Sequence, residues 1–185
     1  IITTMKSVKL DEHQFQEYLS AEVIADKVAV LGAKINNDYT SNDPPIVIAL
    51  LNGAFIFAAD LCRQFDFECQ LQLLRVSSYK GMESTGKVKI DHDAEPDMNN
   101  RHVIIVEDIV DTGNTLAAYL PTLKAKGAKS VKVCTLLLKP EAVQHDLELE
   151  YVGFEIPNKF VIGYGLDYNG RGRNLGAIYS IVANK

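Results

Sequence analysis

The fold of this chain is decided by one stretch of fourteen residues, Val103-Ile104-Ile105-Val106-Glu107-Asp108-Ile109-Val110-Asp111-Thr112-Gly113-Asn114-Thr115-Leu116. It begins as an apolar strand, passes two adjacent carboxylates and a polar turn, and continues into a helix with Leu116, Leu120 and Leu123 on its apolar face. In an open α/β sheet, ligands bind beyond the carboxyl ends of the strands. The order of features therefore predicts an α/β fold with a binding site where this strand ends.

The turn after this strand has the composition of a phosphate-binding loop. Backbone N–H groups at a helix N-terminus point toward a bound anion, and the helix dipole favours negative charge there. Gly113 lets the backbone approach the anion closely, and the hydroxyls of Thr112 and Thr115 add donors. The glycine spacing and the Gly-Lys-Ser/Thr end of nucleoside-triphosphate loops are absent, which indicates a different phosphate ligand.

Glu107 and Asp108 come just before this loop, where their charge would repel a phosphate. A magnesium ion or ribose hydroxyl groups would offset the repulsion, since carboxylates chelate hard cations and accept hydrogen bonds from diols. A strand end with two solvated acids and a capped helix is the simpler alternative. The full succession of strand, acids, glycine turn and helix favours a phosphate site that also holds Mg²⁺.

The rest of the chain alternates short apolar runs with helical stretches, which is typical of a parallel sheet covered on both faces. Ser20 is a candidate N-cap for a helix with an apolar residue every three or four positions. No repeat or linker divides the chain, so we expect a single domain over residues 1–185. A second helix is predicted over residues 54–65, and strands over residues 46–51, 71–76, 103–106, 131–138, 160–162 and 177–181.

A long polar stretch over residues 77–101 interrupts this alternation. Loops of that length in a compact domain are usually functional lids or disordered segments. We therefore predict a lid that covers the reaction site, with a surface hairpin as the alternative.

The bulk composition restricts the classes of function. An apolar content of 47% and a formal net charge of −5 are ordinary for a globular protein and unfavourable for a surface that binds nucleic acid. No apolar run reaches the length of a membrane span, and Cys62, Cys69 and Cys134 are expected to be reduced thiols. We therefore expect a cytoplasmic protein with no nucleic-acid or membrane partner. We assign no role to the four histidines, which share no spacing for metal ligation or a catalytic dyad: His13, His92, His102 and His145.

Residues 107–115 resemble the motif that binds 5-phosphoribosyl-1-pyrophosphate in the type I phosphoribosyltransferases. The resemblance implies a central parallel sheet flanked by helices, a small hood formed by the N- and C-terminal segments, and a mobile loop. It also implies which residues hold the 5′-phosphate, namely Asp111, Thr112, Gly113, Asn114 and Thr115. The motif alone covers several base specificities, and it also occurs in regulators that keep the fold without the main activity.

Further segments are similar to the hypoxanthine-guanine phosphoribosyltransferase family, over most of the chain from about residue 44. Leu51-Asn52-Gly53 resembles its pyrophosphate-binding loop, which has a cis peptide before the middle residue, although many members have Lys where this chain has Asn52. Arg173 corresponds to an arginine that contacts pyrophosphate, with Arg171 as a competing candidate. Ser78 and Tyr79 correspond to a pair on the mobile loop.

Two more segments imply a purine site. Lys139 ends an apolar strand and corresponds to a lysine that donates to the purine 6-oxo group, whereas a surface charge is the simpler interpretation. Residues 152–168 give the closest match of all. There the resemblance implies that Phe160 stacks on the purine, that Val161 contacts its edge through backbone atoms, and that Asp167 lies at this site and holds a second magnesium ion.

The implied reaction transfers the 5-phosphoribosyl group from 5-phosphoribosyl-1-pyrophosphate to hypoxanthine or guanine, with Mg²⁺ as the cofactor. Asp111 would be the general base for the purine N7 proton. Glu107 and Asp108 would bind the ribose hydroxyls and magnesium. The family also implies a homodimer or a homotetramer.

Two alternatives stay open. A transferase that prefers xanthine could carry the same Lys139, Phe160 and Asp167, whereas the 6-amino group of adenine would face the Lys139 ammonium. A regulator that senses 5-phosphoribosyl-1-pyrophosphate and binds RNA or DNA would need a basic face, and the cationic residues of this chain are scattered.

Overall fold

The computed structural model describes residues 6–78, 88–90 and 95–182. These residues form, in chain order, β1 (Ser7–Leu10), β2 (His13–Leu19), α1 (Ala21–Asp38), β3 (Ile46–Leu51), α2 (Phe55–Cys62), β4 (Gln70–Ser78), β5 (Val88–Ile90), β6 (His102–Val110), α3 (Asn114–Ala125), β7 (Ser130–Leu138), β8 (Tyr151–Glu155), β9 (Val161–Ile162) and β10 (Ile178–Ile181).

The larger sheet has the strand order β5-β4-β3-β6-β7-β8. Five of its strands are parallel, namely β4, β3, β6, β7 and β8. The short β5 runs antiparallel to β4 at the edge. Ile46 lies beside Val103, and His102 lies beside Ser130, so these strands start level with one another. The turns that follow β3, β6 and β7 therefore open on the same edge of the sheet, which is where a site is expected in this fold.

Helices cover both faces of this sheet. On one face Val47 and Ile104 pack with α1 and α2, and on the other Ile46 and Ile105 pack with α3. Because successive side chains of a strand point to opposite faces, β3 and β6 are buried on both sides. This explains why these two strands are continuous apolar runs in the sequence.

A smaller antiparallel sheet of order β1-β2-β10-β9 forms the hood. The N-terminal hairpin pairs with β10 near the C-terminus, with Phe15 beside Ile181. Phe15, Ile162 and Tyr179 are buried in a core of their own under this sheet. The predicted fold class, with a central parallel sheet and a hood built from both chain ends, is thereby confirmed.

Individual elements differ from the sequence prediction at identifiable places. The Ser20 cap of α1 is confirmed, since its hydroxyl accepts from the Val23 N–H. The strand predicted over residues 103–106 does not end before the acids but continues through them to Val110, because its ladder with β7 extends to Leu138. The second helix ends at Cys62, because the N–H groups of Gln64 and Phe65 make tighter turn bonds to the carbonyl oxygens three residues before them. β1, β2 and β8 were not predicted as strands.

The predicted lid lies only partly within the described residues. Tyr79 and the rest of residues 79–87 and 91–94 lie outside them, whereas Ser78 ends β4 and pairs with Val88 of β5. Met98 is buried in the core beneath α3, and Glu95 accepts a hydrogen bond from Tyr119. Residues near the C-terminal end of the predicted lid are therefore anchored to the core, because Met98 and Glu95 contact residues beneath and on α3.

The three cysteines are free, with Cys134 buried and the other two half-buried. Among the described helices none is long and apolar enough to cross a membrane.

Candidate active site

A cleft of about 90 Å³ lies over the turn between β6 and α3, lined by Glu107 and residues 109–116. Gly113 has a φ of +79°, in the left-handed region that favours glycine, and directly precedes the helix. The unpaired N–H groups of the first helical turn lie at this end of α3. The residues predicted to hold a 5′-phosphate therefore line one small cleft at a helix N-terminus, which is suited to an anion.

The two adjacent carboxylates point to opposite sides of β6. Glu107 lines the cleft of the phosphate loop, with its Oε2 buried and without a hydrogen-bond partner among the described residues. The Asp108 carboxylate instead lies against the backbone of Gly53, after β3. The alternation of side chains along a strand thus gives each acid its own part of the site.

Burial dominates the electrostatics of this acidic pair. It raises the pKa of Glu107 well above its ordinary value, and the charge of Asp108 raises it further. It also raises the pKa of Asp108 to about 6, although backbone N–H groups and the Arg173 charge lower it. Desolvated carboxylates of this kind favour an added proton or a bound cation.

Lys139 and Asp111 form an ion pair at the carboxyl ends of β7 and β6. The Lys139 Nζ lies 2.8 Å from Asp111 Oδ2, and the lysine residue is only 6% exposed. The simpler interpretation of Lys139 as a surface charge is therefore wrong. A donor and an acceptor are instead held side by side at the entrance to the phosphate loop.

The Leu51–Asn52 peptide bond is cis, as the resemblance implies. Gly53, which follows it, lies where no side chain fits, because a Cβ there would be 1.7 Å from Asp108 Oδ2. A Cβ on Gly165 would be 2.0 Å from the Gly53 carbonyl oxygen. Three segments that are distant in sequence thus meet at Gly53, Asp108 through its side chain and Gly165 through its backbone.

Arg173 lies at this same place and is held by two partners. Its guanidinium donates to the Gly165 carbonyl oxygen at 2.6 Å and pairs with Asp167 Oδ1 at 2.6 Å. The other Asp167 oxygen accepts from the Gly170 N–H at 2.7 Å. Arg171, the competing candidate, pairs instead with Asp11 of the β1–β2 hairpin.

Phe160 is not a core residue. Its side chain is 44% exposed, and its ring contacts Tyr168 edge-on at 5.9 Å between centroids and Phe15 at 6.3 Å. Neighbouring aromatic rings hold the phenyl group in place while its surface stays accessible, which suits stacking on a planar ligand. Val161 is buried and pairs with Ser180 in the hood sheet.

Sequence reasoning missed the contact that holds the Gly163-Tyr164-Gly165 turn. The Tyr164 hydroxyl donates to Asp60 Oδ2 of α2 at 2.7 Å, and Tyr164 itself has a φ of +48°. The pair of flanking glycines was the available signal, since such spacing marks a tight turn or a close backbone approach.

The donor set suits a hard cation that is shared with a substrate. Within the described parts of the chain, no three His, Cys, Asp or Glu side chains converge on one point. Magnesium usually takes one or two protein carboxylates and completes its shell with water and substrate oxygens. The unpartnered Glu107 Oε2 and the Asp108 carboxylate therefore fit Mg²⁺ bound together with a polyoxygen ligand.

Comparison with known proteins agrees with this geometry. Residues 14–169 match the phosphoribosyl transferase domain. The chain belongs to the phosphoribosyl transferase family. The family match agrees with the observed fold, in which an acidic strand leads into a loop suited to phosphate.

Similar proteins within this family carry names that specify hypoxanthine or guanine. The hypoxanthine phosphoribosyltransferase of Buchnera aphidicola subsp. Schizaphis graminum is 42% identical over 176 residues, which is 94% of this chain and 99% of that protein. A hypoxanthine-guanine phosphoribosyltransferase structure from Bacillus anthracis is 40% identical, with a TM-score of 0.82 over 90% of this chain and 96% of the other. The Trypanosoma cruzi hypoxanthine phosphoribosyl transferase is 33% identical, with a TM-score of 0.85 and 95% of each chain covered.

The contact between Gly53 and Asp108 yields a first prediction. Gly53→Ala should lower transferase activity at least about 100-fold, because the added methyl group displaces a carboxylate of the site by more than an ångström. Steady-state kinetics would measure the loss. Gly176→Ala is the control, since its Cβ would meet only Ala21 Cβ at 3.9 Å and activity should be kept. Full activity in Gly53→Ala would contradict this account of the contact.

The buried Glu107 yields a second prediction, for the metal-free protein. Because burial raises the pKa of Glu107, its stabilising protonated form is present at low pH and is lost as the pH rises through the raised pKa. Glu107→Gln should therefore raise the free energy of unfolding by about 1–2 kcal/mol at pH 8 and by less at pH 5. Urea unfolding at both pH values tests this. Exposed Glu148→Gln is the control, and an equal gain at both pH values would refute the explanation.

Proposed function

We propose that this protein is a purine-salvage enzyme that transfers the 5-phosphoribosyl group from 5-phosphoribosyl-1-pyrophosphate to hypoxanthine or guanine. The observation that carries the proposal is the ion pair between the buried Lys139 and the half-exposed Asp111, 2.8 Å apart. A 6-oxopurine with its proton on N7 presents a carbonyl acceptor and an N–H donor side by side. Lys139 and Asp111 are the complementary donor and acceptor.

The chemistry assigned to the chain is proton removal and positioning. The purine N9 lone pair forms the bond to ribose C1′ while the bond from C1′ to the pyrophosphate oxygen breaks. Asp111 accepts the N7 proton, and Lys139 donates to the 6-oxo group. Asp111 meanwhile stays on the loop that holds the 5′-phosphate, so base and substrate share one support.

The other ends of the substrates have separate supports. We assign the 5′-phosphate to the loop of residues 111–115, and the pyrophosphate to Asn52, Gly53 and Arg173. Phe160 stacks on the purine, and Val161 contacts its edge through backbone atoms. Arg173 suits the pyrophosphate because its guanidinium makes charge-assisted hydrogen bonds to phosphate oxygens.

Magnesium is the proposed cofactor. Glu107 and Asp108, from opposite sides of β6, would bind the ribose hydroxyls and the ion, directly or through water, and Asp167 would hold a second ion near the pyrophosphate and the purine. The ions would supply positive charge that neutralises the leaving pyrophosphate. The raised pKa values of Glu107 and Asp108 support this, because a cation relieves the cost of burying the carboxylates.

The same pair sets the base preference. Adenine presents an amino group where a 6-oxopurine presents its carbonyl, so the Lys139 ammonium would be left without an acceptor, and a buried unpaired donor is costly. Xanthine keeps the 6-oxo group and differs elsewhere on the ring.

The function is tested by offering hypoxanthine, guanine, xanthine and adenine separately with 5-phosphoribosyl-1-pyrophosphate and Mg²⁺, and following nucleotide formation. We expect turnover of hypoxanthine or guanine, little with adenine, and none after chelation of magnesium. Asp111→Asn should lower kcat about 100-fold or more, because the base for N7 is lost. Asp26→Asn on the exposed face of α1 is the matched control. Preferred use of adenine, or full activity in Asp111→Asn, would contradict the proposal.

We also propose that the protein assembles as a homodimer or a homotetramer. For the Trypanosoma cruzi relative, a role of the C-terminal region in oligomeric state and enzymatic activity has been described. In this chain, Leu71 and Leu73 of β4 are in register with Val47 and Ala49, whose side chains are covered by α1 and α2. The two leucines are nevertheless 41% and 45% exposed, and Phe55 of α2 is 42% exposed. A second copy would cover this apolar surface.

Sedimentation velocity at micromolar concentration tests the assembly. We expect a dimer or a tetramer for the wild type and a shift toward the monomer for Leu73→Lys, because a charge in an apolar interface is poorly solvated. Val30→Lys is the control, since Val30 is a comparably exposed apolar residue, 49% exposed, that belongs to α1 and not to β4 or α2. A monomeric wild type would refute the assembly, and dissociation by Val30→Lys alone would place the interface elsewhere.

A further inference from the structure

Residues 144–147, between β7 and β8, lie against the phosphate loop at three successive points. The Gln144 N–H donates to the Thr112 carbonyl oxygen at 3.0 Å. His145 Nε2 lies 2.6 Å from Asn114 Oδ1. A Cβ on Gly113 would lie 2.7 Å from Leu147 Cδ1. This segment, here called the brace, therefore supports the loop from outside, although no residue of it lines the cleft.

The contact between His145 and Asn114 fixes an orientation as well as a position. A carboxamide oxygen can only accept, so the hydrogen in this bond is carried by His145 Nε2. With Oδ1 engaged, the Asn114 Nδ2 group is directed away from the imidazole. Among the described residues Nδ2 has no hydrogen-bond acceptor. Asn114 lines the phosphate cleft, so its two N–H bonds remain available for a ligand there.

We propose that His145 is a positioning residue for the substrate's 5′-phosphate, holding the Asn114 carboxamide so that its Nδ2 donates to a phosphate oxygen. The inference rests on the proposed function, which places that phosphate in the cleft. His145 itself touches no substrate atom and acts only through Asn114. Without it the carboxamide rotates freely, and the orientation must be selected again at each binding event.

This role predicts a selective defect, because the brace contacts one end of the site. Ligands that carry a 5′-phosphate should bind more weakly when His145 is lost. Inorganic pyrophosphate should not, since its proposed site lies at Gly53 and Arg173, next to Asp108. Ribose 5-phosphate and magnesium pyrophosphate are therefore suitable probes for the two ends.

The experiment compares the wild type with His145→Leu, His145→Gln, Asn114→Ala and the double variant His145→Leu/Asn114→Ala. Kinetics give KM for 5-phosphoribosyl-1-pyrophosphate, KM for hypoxanthine and kcat, and calorimetry gives Kd for the two probes. We expect His145→Leu to raise KM for 5-phosphoribosyl-1-pyrophosphate and Kd for ribose 5-phosphate about tenfold, which is the worth of one hydrogen bond to a charged group. Pyrophosphate affinity, hypoxanthine KM and kcat should change less than about twofold, which is a smaller change than the loss of one neutral hydrogen bond would cause.

Two variants separate positioning from general support. His145→Gln keeps an N–H donor in reach of Asn114 Oδ1 and should restore most of the affinity. In the double variant the loss should equal that of Asn114→Ala alone, because the histidine acts through the asparagine. Asp146→Asn, next to His145 and exposed, is the control and should match the wild type.

Several results would overturn the inference while leaving the proposed function intact: wild-type affinity in His145→Leu, additive losses in the double variant, or an equal loss of pyrophosphate affinity. A wild type that forms no nucleotide and does not bind ribose 5-phosphate would overturn the proposed function, and this inference with it.

Discussion

The absence of a side chain at Gly53 is the constraint on which the site depends. A Cβ there would overlap the Asp108 carboxylate, and a Cβ at Gly165 would overlap the Gly53 carbonyl oxygen. The Asp108 side chain of β6 therefore lies directly on the Gly53 backbone at the end of β3, and the turn after β9 approaches the same residue through backbone atoms. Arg173 is tied to that turn through the Gly165 carbonyl oxygen, so its guanidinium is placed by the same contact. A shift of any one segment would move both the Asp108 carboxylate and the Arg173 guanidinium, which are the two charges at this end of the site.

The electrostatic arrangement runs against stability. Burial raises the pKa of both Glu107 and Asp108, and an apolar residue in either place would continue the core that precedes them in β6. A strand that keeps two desolvated acids at its carboxyl end sacrifices folding free energy for chemistry. The phosphate cleft lies beside them, so these acids would repel a bound phosphate unless a cation or hydroxyl groups lay between. The same two residues therefore weaken the empty site and complete the occupied one.

The sequence predicted the fold class, the helix capped by Ser20 and the grouping of residues 111–116 around a helix N-terminus, because each follows from local periodicity and turn chemistry. It did not predict that Glu107 and Asp108 would diverge, since that requires knowing that the strand continues to Val110. The pairing of the hood strand β2 with β10 was not predicted, because the two strands lie at opposite ends of the chain. His145 was assigned no role, since its contact with Asn114 spans 31 residues and no spacing rule reaches that far.

Asp111 connects the two halves of the proposed reaction. It lines the phosphate cleft, and it is also the partner of the buried Lys139. Lys139 holds one Asp111 oxygen, and a purine that comes between the two side chains would replace both contacts: its 6-oxo group would accept from Lys139, and its N7 proton would be donated to Asp111. Because Asp111 belongs to the loop assigned to the 5′-phosphate, the position of that phosphate also sets the position of Asp111 as the general base. In the proposed reaction, one turn of the chain therefore carries both the 5′-phosphate site and the acceptor of the N7 proton, so that both substrates are positioned by the same support.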